Sequence, residues 1–254
     1  MPRFGIFLPA MGPFAEPART AELAASAEEA GWDGIFLWDH VLAFPEMPVA
    51  DAWMTLAAMA AATERIRLGP LVTPLARRRP WVLARQIATL DRLSKGRLTM
   101  GIGLGDDGWR EFSAFGEEAD PRRRAQVLNE SLELLGALLS GHPVDHHGEH
   151  FDVESTAFLP TPLQHPVPAW GACIWPHAKP VARAARLQGI FPIFDTPIPP
   201  PPPTPAQISE ILKAVERIRG TVEGFDVVVR FPFGLEDPAT LGSTLAGLEQ
   251  AGAT

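Results

Sequence analysis

The sequence contains no tyrosine and a single cysteine among 254 residues. Without tyrosine, proton transfer falls to His, Asp, Glu, Lys or Cys173. One cysteine excludes an intrachain disulfide and fits a reducing cytoplasm. Positive charge is scarce: 22 Lys and Arg stand against 30 Asp and Glu, a net charge of −8. No broad basic field exists to hold a nucleic-acid backbone or an anionic membrane. Long apolar runs are missing as well. The most continuous, Leu56 to Ala62, is far too short to span a bilayer. The opening "MPRFGIFLPAMG" lacks a charged region followed by an apolar core of signal-peptide length. The chain reads as cytoplasmic, with no membrane and no nucleic acid among its partners.

What is present is an alternation. Short apolar runs, "RFGIFLP", "GIFLWDH", "IRLGPLVTP" and "RLTMGIGLG", alternate with segments of helical period. The first helix has Pro17 near its start and Gly31 just past its end. Asp51 is placed to cap the second. The third runs from Pro80 to a stop at Gly96. Leu128, Leu132, Leu135 and Leu139 are expected to line one face of the fourth. The pattern breaks over residues 141–167, which read as an insertion with a hairpin turning near Gly148. It then resumes with "VPAWGAC", "GIFPIF" and "FDVVVRFPFG", each followed by a helical segment. The prolines of residues 196–205 favour a stiff extended loop.

Seven β-α units with largely unalternated strands imply a parallel sheet covered by helices. One more unit closes a (β/α)₈ TIM barrel. The sequence stops where that eighth strand is due, and an open barrel edge is unfavourable. The expectation is one barrel domain over residues 1–254, clipped at its end.

Active sites in such barrels form at the C-terminal ends of the strands. "GIFLWDH" therefore places Asp39 and His40 at the mouth. His40 is suited to proton transfer near neutral pH. Adjacent strand residues point to opposite faces, so the two share a site only if the strand has ended or bulged. The alternative is a loop-capping Asp39 and a rim histidine. "GIGLG" offers backbone to a flat ligand or phosphate through Gly103 and Gly105, but its spacing is not a dinucleotide fingerprint. Asp106 is a candidate acid or a solvated loop residue. Arg77, Arg78 and Arg79 are a candidate anion clamp or a solvated loop. "DHHGEHF" lies in the insertion without a recognised zinc spacing, so no metal is expected. Trp38, Trp109, Trp175 and Phe231 either line an apolar pocket or pack in the core.

A resemblance now enters. "LDRLSKGRLTMGIGLG", together with "AEEAGWDGIFLWDH" and "FGEEADPRRRAQVLNESLELL", closely resembles the luciferase-like monooxygenase family, and the similarity is continuous from Met1 to about Ser140. The resemblance implies a luciferase-like barrel that binds FMN or coenzyme F-420 at its C-terminal mouth. It implies hydride transfer or monooxygenation of a small organic substrate. No nicotinamide motif is visible, so a separate flavin or F-420 reductase is an expected partner where oxygen is used, and a homodimer is the other candidate assembly. By the match, Asp39, His40 and Asp106 take catalytic roles. From their places at the strand ends, Asp39, Leu71, Thr73, Gly103, Gly105 and Ala172 are the candidates to line the cofactor, and Trp38 and Trp175 the candidates to line the substrate. A non-prolyl cis peptide is expected at Pro70-Leu71. A metal- or acid/base-dependent barrel hydrolase and a non-catalytic flavin-binding barrel are the alternatives.

Overall fold

The structure is a computed structural model. It describes residues 2–43, 45–194, 203–231 and 238–254, with backbone alone for 238–240. The chain divides into two compact units, Phe4–Pro168 and Ala169–Thr254, the latter joined by Arg3.

The first unit holds β1 (Gly5–Pro9), α1 (Pro17–Glu29), β2 (Gly34–Trp38), α2 (Ala52–Ala62), β3 (Arg67–Pro70), β4 (Thr73–Pro74), α3 (Pro80–Leu93), β5 (Met100–Gly103) and α4 (Pro121–Leu139). The antiparallel pair β6 (Val144–His147) and β7 (Asp152–Ser155) follows. Local signals set most helix starts. Pro17, Pro80 and Pro121 open their helices, where a missing N–H costs nothing. Asp51 caps α2 by accepting the Met54 N–H at 2.8 Å. Gly31, with φ +86°, turns the chain out of α1. The third helix ends earlier than its Gly96 signal, at Leu93, because Lys95 and Gly96 both take positive φ in the exit turn.

β1, β2 and β3 pair in parallel, with Gly5 opposite Gly34 and Gly34 opposite Arg67. The expected third strand is broken in two. Leu68 bridges to Leu98, and Thr73 pairs with Ile102. Five steps on the third strand thus face four on the fourth, the signature of a bulge. The non-prolyl cis peptide lies within it, at Leu71-Val72, one residue beyond the expected bond. Its place follows the pairing register, which sequence spacing does not reveal. Gly101 permits the close approach: a Cβ there would lie 2.8 Å from the Leu71 Cα.

The core between strands and helices includes Leu37, Leu56, Leu68, Leu83, Leu98 and Leu128, all nearly solvent-free. The buried face of α4 is rotated from the expected one. Arg124, Leu128, Ser131, Leu135 and Leu138 form the inward stripe, whereas Leu132 and Leu139 are only partly covered. Both stripes satisfy the helical period, and tertiary packing selects between them. The hairpin turns at Gly148, whose N–H donates to the Phe151 carbonyl at 2.9 Å. Glu130 of α4 ties it down, accepting the N–H groups of His150 (2.9 Å) and Phe151 (2.8 Å) and pairing with His146 Nε2 (3.0 Å).

The second unit runs β8 (Ala169–Trp175), α5 (Ala178–Ala184), β9 (Gly189–Phe194), α6 (Pro205–Arg219), β10 (Asp226–Val227) and α7 (Pro238–Gln250). β9 pairs in parallel with β8 and with β10. Thr204 and Gln207 form a reciprocal capping box at the start of α6. Ile190, Ile208, Ile211, Val215, Phe225 and Val227 make its core. The seventh strand is shorter than "FDVVVRFPFG" implies. The proline-rich loop is described only from Pro203 on; Asp195, residues 196–202 and the end of "FDVVVRFPFG" lie outside the described residues. Among the described residues no helix is long and apolar enough to cross a membrane.

Candidate active site

The residues at the C-terminal ends of β2 to β5 form one charged network, all within the first unit. Asp39 follows β2 and is 3% exposed. Its Oδ2 accepts from Thr73 Oγ1 at 2.9 Å, from Trp53 Nε1 at 3.3 Å and from Arg78 Nη2 at 2.7 Å. Its Oδ1 accepts from Arg78 Nη2 at 2.6 Å. A buried carboxylate needs such compensation, and here the side chains of Thr73, Trp53 and Arg78 supply it.

His40 faces elsewhere. No hydrogen bond joins it to Asp39; it stacks instead near Trp109, with ring centroids 4.8 Å apart, and near Trp38, at 5.9 Å. This is the alternation a strand imposes: Trp38 and His40 share one side, and Asp39 takes the other. His40 Nδ1 lies 2.7 Å from Glu111 Oε2. An ionised carboxylate only accepts, so Nδ1 carries the proton and Nε2 is left as the ring's second proton site. Nε2 has no hydrogen-bond partner among the described residues, and the side chain is 30% exposed.

Glu111 is the residue that sequence reasoning missed. It sits on the loop after β5, five positions beyond Asp106, with its side chain 4% exposed. Besides His40 it accepts the Val41 N–H at 2.7 Å and Arg77 Nη1 at 3.0 Å. Burial pushes its carboxyl upward in pKa. The His40 hydrogen bond, the Val41 N–H and the charges of His40 and Arg77 outweigh that and hold it below the ordinary glutamate value. Asp107 shapes the loop that presents it, accepting the N–H groups of Phe112 (2.8 Å) and Ser113 (3.1 Å). The available signal was a carboxylate between two large aromatics, Trp109 and Phe112, just past a glycine-rich strand end.

The other expected site residues fall as follows. Leu71 and Thr73 are buried in the bulge, the first donating its N–H to the Leu37 carbonyl at 2.7 Å. Gly103 ends β5 opposite Pro74. Gly105 has φ +76°, and a Cβ there would lie 2.8 Å from Pro74 and 3.0 Å from the Phe112 ring, so it serves a tight turn. Asp106 is exposed and its Oδ2 accepts the Gly108 N–H at 2.8 Å. Ala172 and Trp175 lie on β8 in the second unit, paired with Phe191 and Phe194 of β9. Trp175 packs against that unit's core. Arg77 and Arg78 are not a free anion clamp: both guanidinium groups are committed to Asp39 and Glu111. Arg79 lies over Trp81. Among the described residues no group of three or more His, Cys, Asp or Glu is arranged to hold a metal.

Parallel strands, covering helices and a histidine-carboxylate pair at the strand C-terminal ends define a β/α-barrel class of protein with its chemistry at the mouth. Within that class the chain belongs to the luciferase-like monooxygenase family, whose model matches residues 2–240. It is 32% identical over 171 residues to the F420-dependent glucose-6-phosphate dehydrogenase of Nakamurella multipartita, covering 65% of this chain and 49% of that protein. The chain thus spans about half the length of the curated relatives it matches. Among solved structures it is similar to the monooxygenase RslO1 of Streptomyces bottropensis, with a TM-score of 0.73, 24% identity, and coverage of 98% of this chain and 78% of the other. It is also similar to the coenzyme F420-dependent tetrahydromethanopterin reductase of Methanopyrus kandleri, with a TM-score of 0.72, 22% identity, and coverage of 90% and 65%. The fold is therefore the luciferase-like barrel fold.

Proposed function

We propose that this chain is a cytoplasmic flavin-type oxidoreductase that binds coenzyme F-420, or in a second reading FMN, beside His40. The observation that carries the proposal is the His40–Glu111 pair: one ring nitrogen is fixed by a buried carboxylate at 2.7 Å, and the other has no partner among the described residues. Such an imidazole gives or takes a proton at a defined atom. Two features fit a flat redox coenzyme there. Trp38 and Trp109 flank the imidazole with aromatic surface. The buried Trp38 Nε1 has no acceptor among the described residues, so it is available to a ligand oxygen or nitrogen.

When bound, the deazaflavin or flavin supplies the hydride or electron chemistry. The chain's own part is placement and proton handling. His40 holds or moves the proton at Nε2, Glu111 fixes the tautomer, and the buried Asp39 with Arg78 stiffens the strand end. Thr73, Leu71, Gly103 and Gly105 are proposed to wall the coenzyme. The F-420 reading is favoured by curated relatives named as F420-dependent dehydrogenases. The FMN and monooxygenase reading is favoured by likeness to a monooxygenase over 98% of the chain. In that reading a separate reductase provides reduced flavin. The substrate is a small organic molecule, and a second copy of the chain is the proposed structural partner.

Titrating the protein separately with F-420 and with FMN tests this. Saturable binding of F-420 in preference to FMN is expected, weakened in Trp38→Phe. Lack of affinity for both overturns the reading.

A further inference from the structure

Within the described network one side chain touches both acids. Arg77 donates through Nη1 to Glu111 Oε1 at 3.0 Å, and through Nη2 to the Asp39 carbonyl at 2.6 Å and Asp39 Oδ1 at 3.4 Å. Its side chain is 6% exposed, and its guanidinium lies 5.9 Å from the centre of the Phe112 ring. Asp39 does not depend on it, since Arg78 already meets both carboxylate oxygens. Among the described residues Glu111 has no second arginine. Its two oxygens are divided: Oε2 goes to His40, and Oε1 to Arg77 and the Val41 N–H.

We infer that Arg77 is a positioning residue that shares Glu111 with His40 and thereby sets the proton affinity and orientation of the imidazole. Among the described residues, the charges of the network around His40 come from four places. From the loop after β5 come Glu111 and, behind it, Asp107. From the turn after β4 come Arg77 and Arg78, and from its own strand end Asp39. From α4 comes Arg124, whose guanidinium lies 4.4 Å from the Phe112 ring centre. Two carboxylates, Asp39 and Glu111, are answered by two guanidinium groups, Arg77 and Arg78. With that balance in place the Glu111 charge is shared between His40 and Arg77. Without Arg77, His40 alone answers the Glu111 charge, and the imidazolium is favoured. The fork geometry matters too, because a lysine ammonium does not span two acids in the way a planar guanidinium does.

This inference rests on the proposed role of His40 only for its consequence in turnover; the titration of His40 reads it directly. The experiment follows the His40 ring resonances by NMR across pH in the full chain, assigned by their loss in His40→Gln. Arg77→Met is expected to raise the proton affinity of His40 about tenfold, and Arg77→Lys to raise it by less. Glu111→Gln is expected to lower it, and Arg77→Met added to Glu111→Gln to change it little further. Should Arg77→Met not fold, Arg77→Lys alone and combined with Glu111→Gln gives the same comparison. An unmoved titration in the Arg77 variants overturns the inference. So does an equal Arg77 effect with and without the Glu111 carboxylate, because the arginine then acts directly on the ring. Failure of the functional reading appears separately, as absent coenzyme binding with the titration shifts intact.

Discussion

The two ends of the strands in the first unit each bury an arginine, and they use it differently. At the N-terminal ends Arg97 is 7% exposed. It donates to the carbonyls of Ala60, Thr63, Ile66 and Ser94 and to Thr63 Oγ1, at 2.6–2.9 Å. Beside it, Glu28 accepts the N–H groups of Glu64, Arg65 and Ile66 at 2.5–3.1 Å. At the C-terminal ends Arg77 donates mainly to groups that titrate, and through Glu111 it meets a histidine with one nitrogen open. Burial of a charge thus marks neither end as functional. The difference lies in the acceptors: backbone oxygens make a bolt, and carboxylates linked to an imidazole make a site.

Five substitutions sharpen or break this contrast. The largest effect is expected for His40→Gln. Turnover with the preferred coenzyme should fall by about a hundredfold or more, while the melting temperature stays near that of the parent protein. A steady-state rate measurement checks it, and a variant retaining most of its activity removes His40 from the chemistry. Next is Arg97→Met, which strands several buried carbonyls. Each lost partner costs about 1 kcal/mol or more, so unfolding stability should drop by about 3 kcal/mol in a denaturant titration. Coenzyme affinity of the folded fraction should not change; a change would tie the two ends together.

A smaller effect concerns acid. The three backbone N–H groups bonded to Glu28, helped by the Arg65 charge, outweigh a burial penalty and hold its carboxyl low, as His40, Val41 and Arg77 hold Glu111. A lowered folded pKa gives stability that is present above the unfolded value, about 4.3, and lost as pH falls through the folded value. Glu28→Gln and Glu111→Gln should each flatten the loss of stability below about pH 4.3. Only Glu111→Gln should move the His40 titration, which distinguishes the site from the bolt. The smallest effect is expected for Asp106→Asn. Its carboxylate is exposed and caps one N–H, so turnover should stay within about threefold. A hundredfold loss would return the acid role to Asp106.

These contrasts show what the sequence made legible. Helix starts were readable because Pro17, Asp51 and Pro80 act within a turn of themselves. His40 at a strand end was readable from the β-α alternation. The inward stripe of α4 was not, since Leu132 with Leu139 and Ser131 with Leu138 extend the same Leu128–Leu135 period and only the packed partner chooses. Nor was the exact seat of the cis peptide, which depends on how β4 registers against β5. Glu111 was hidden for the same reason. Its partners His40 and Arg77 are 71 and 34 residues away, and no local pattern distinguishes it from Asp106. Arg77 and Arg78 looked like free positive charge because the acids that claim them are distant in sequence.

The missing tyrosine has a practical side. Near-ultraviolet emission from this chain comes from its seven tryptophans, undiluted by phenol. Two of them, Trp38 and Trp109, stand against the His40 ring. An imidazolium quenches a neighbouring indole more strongly than a neutral imidazole does. The protein therefore carries its own optical gauge of whether that ring is charged, readable without label or substrate.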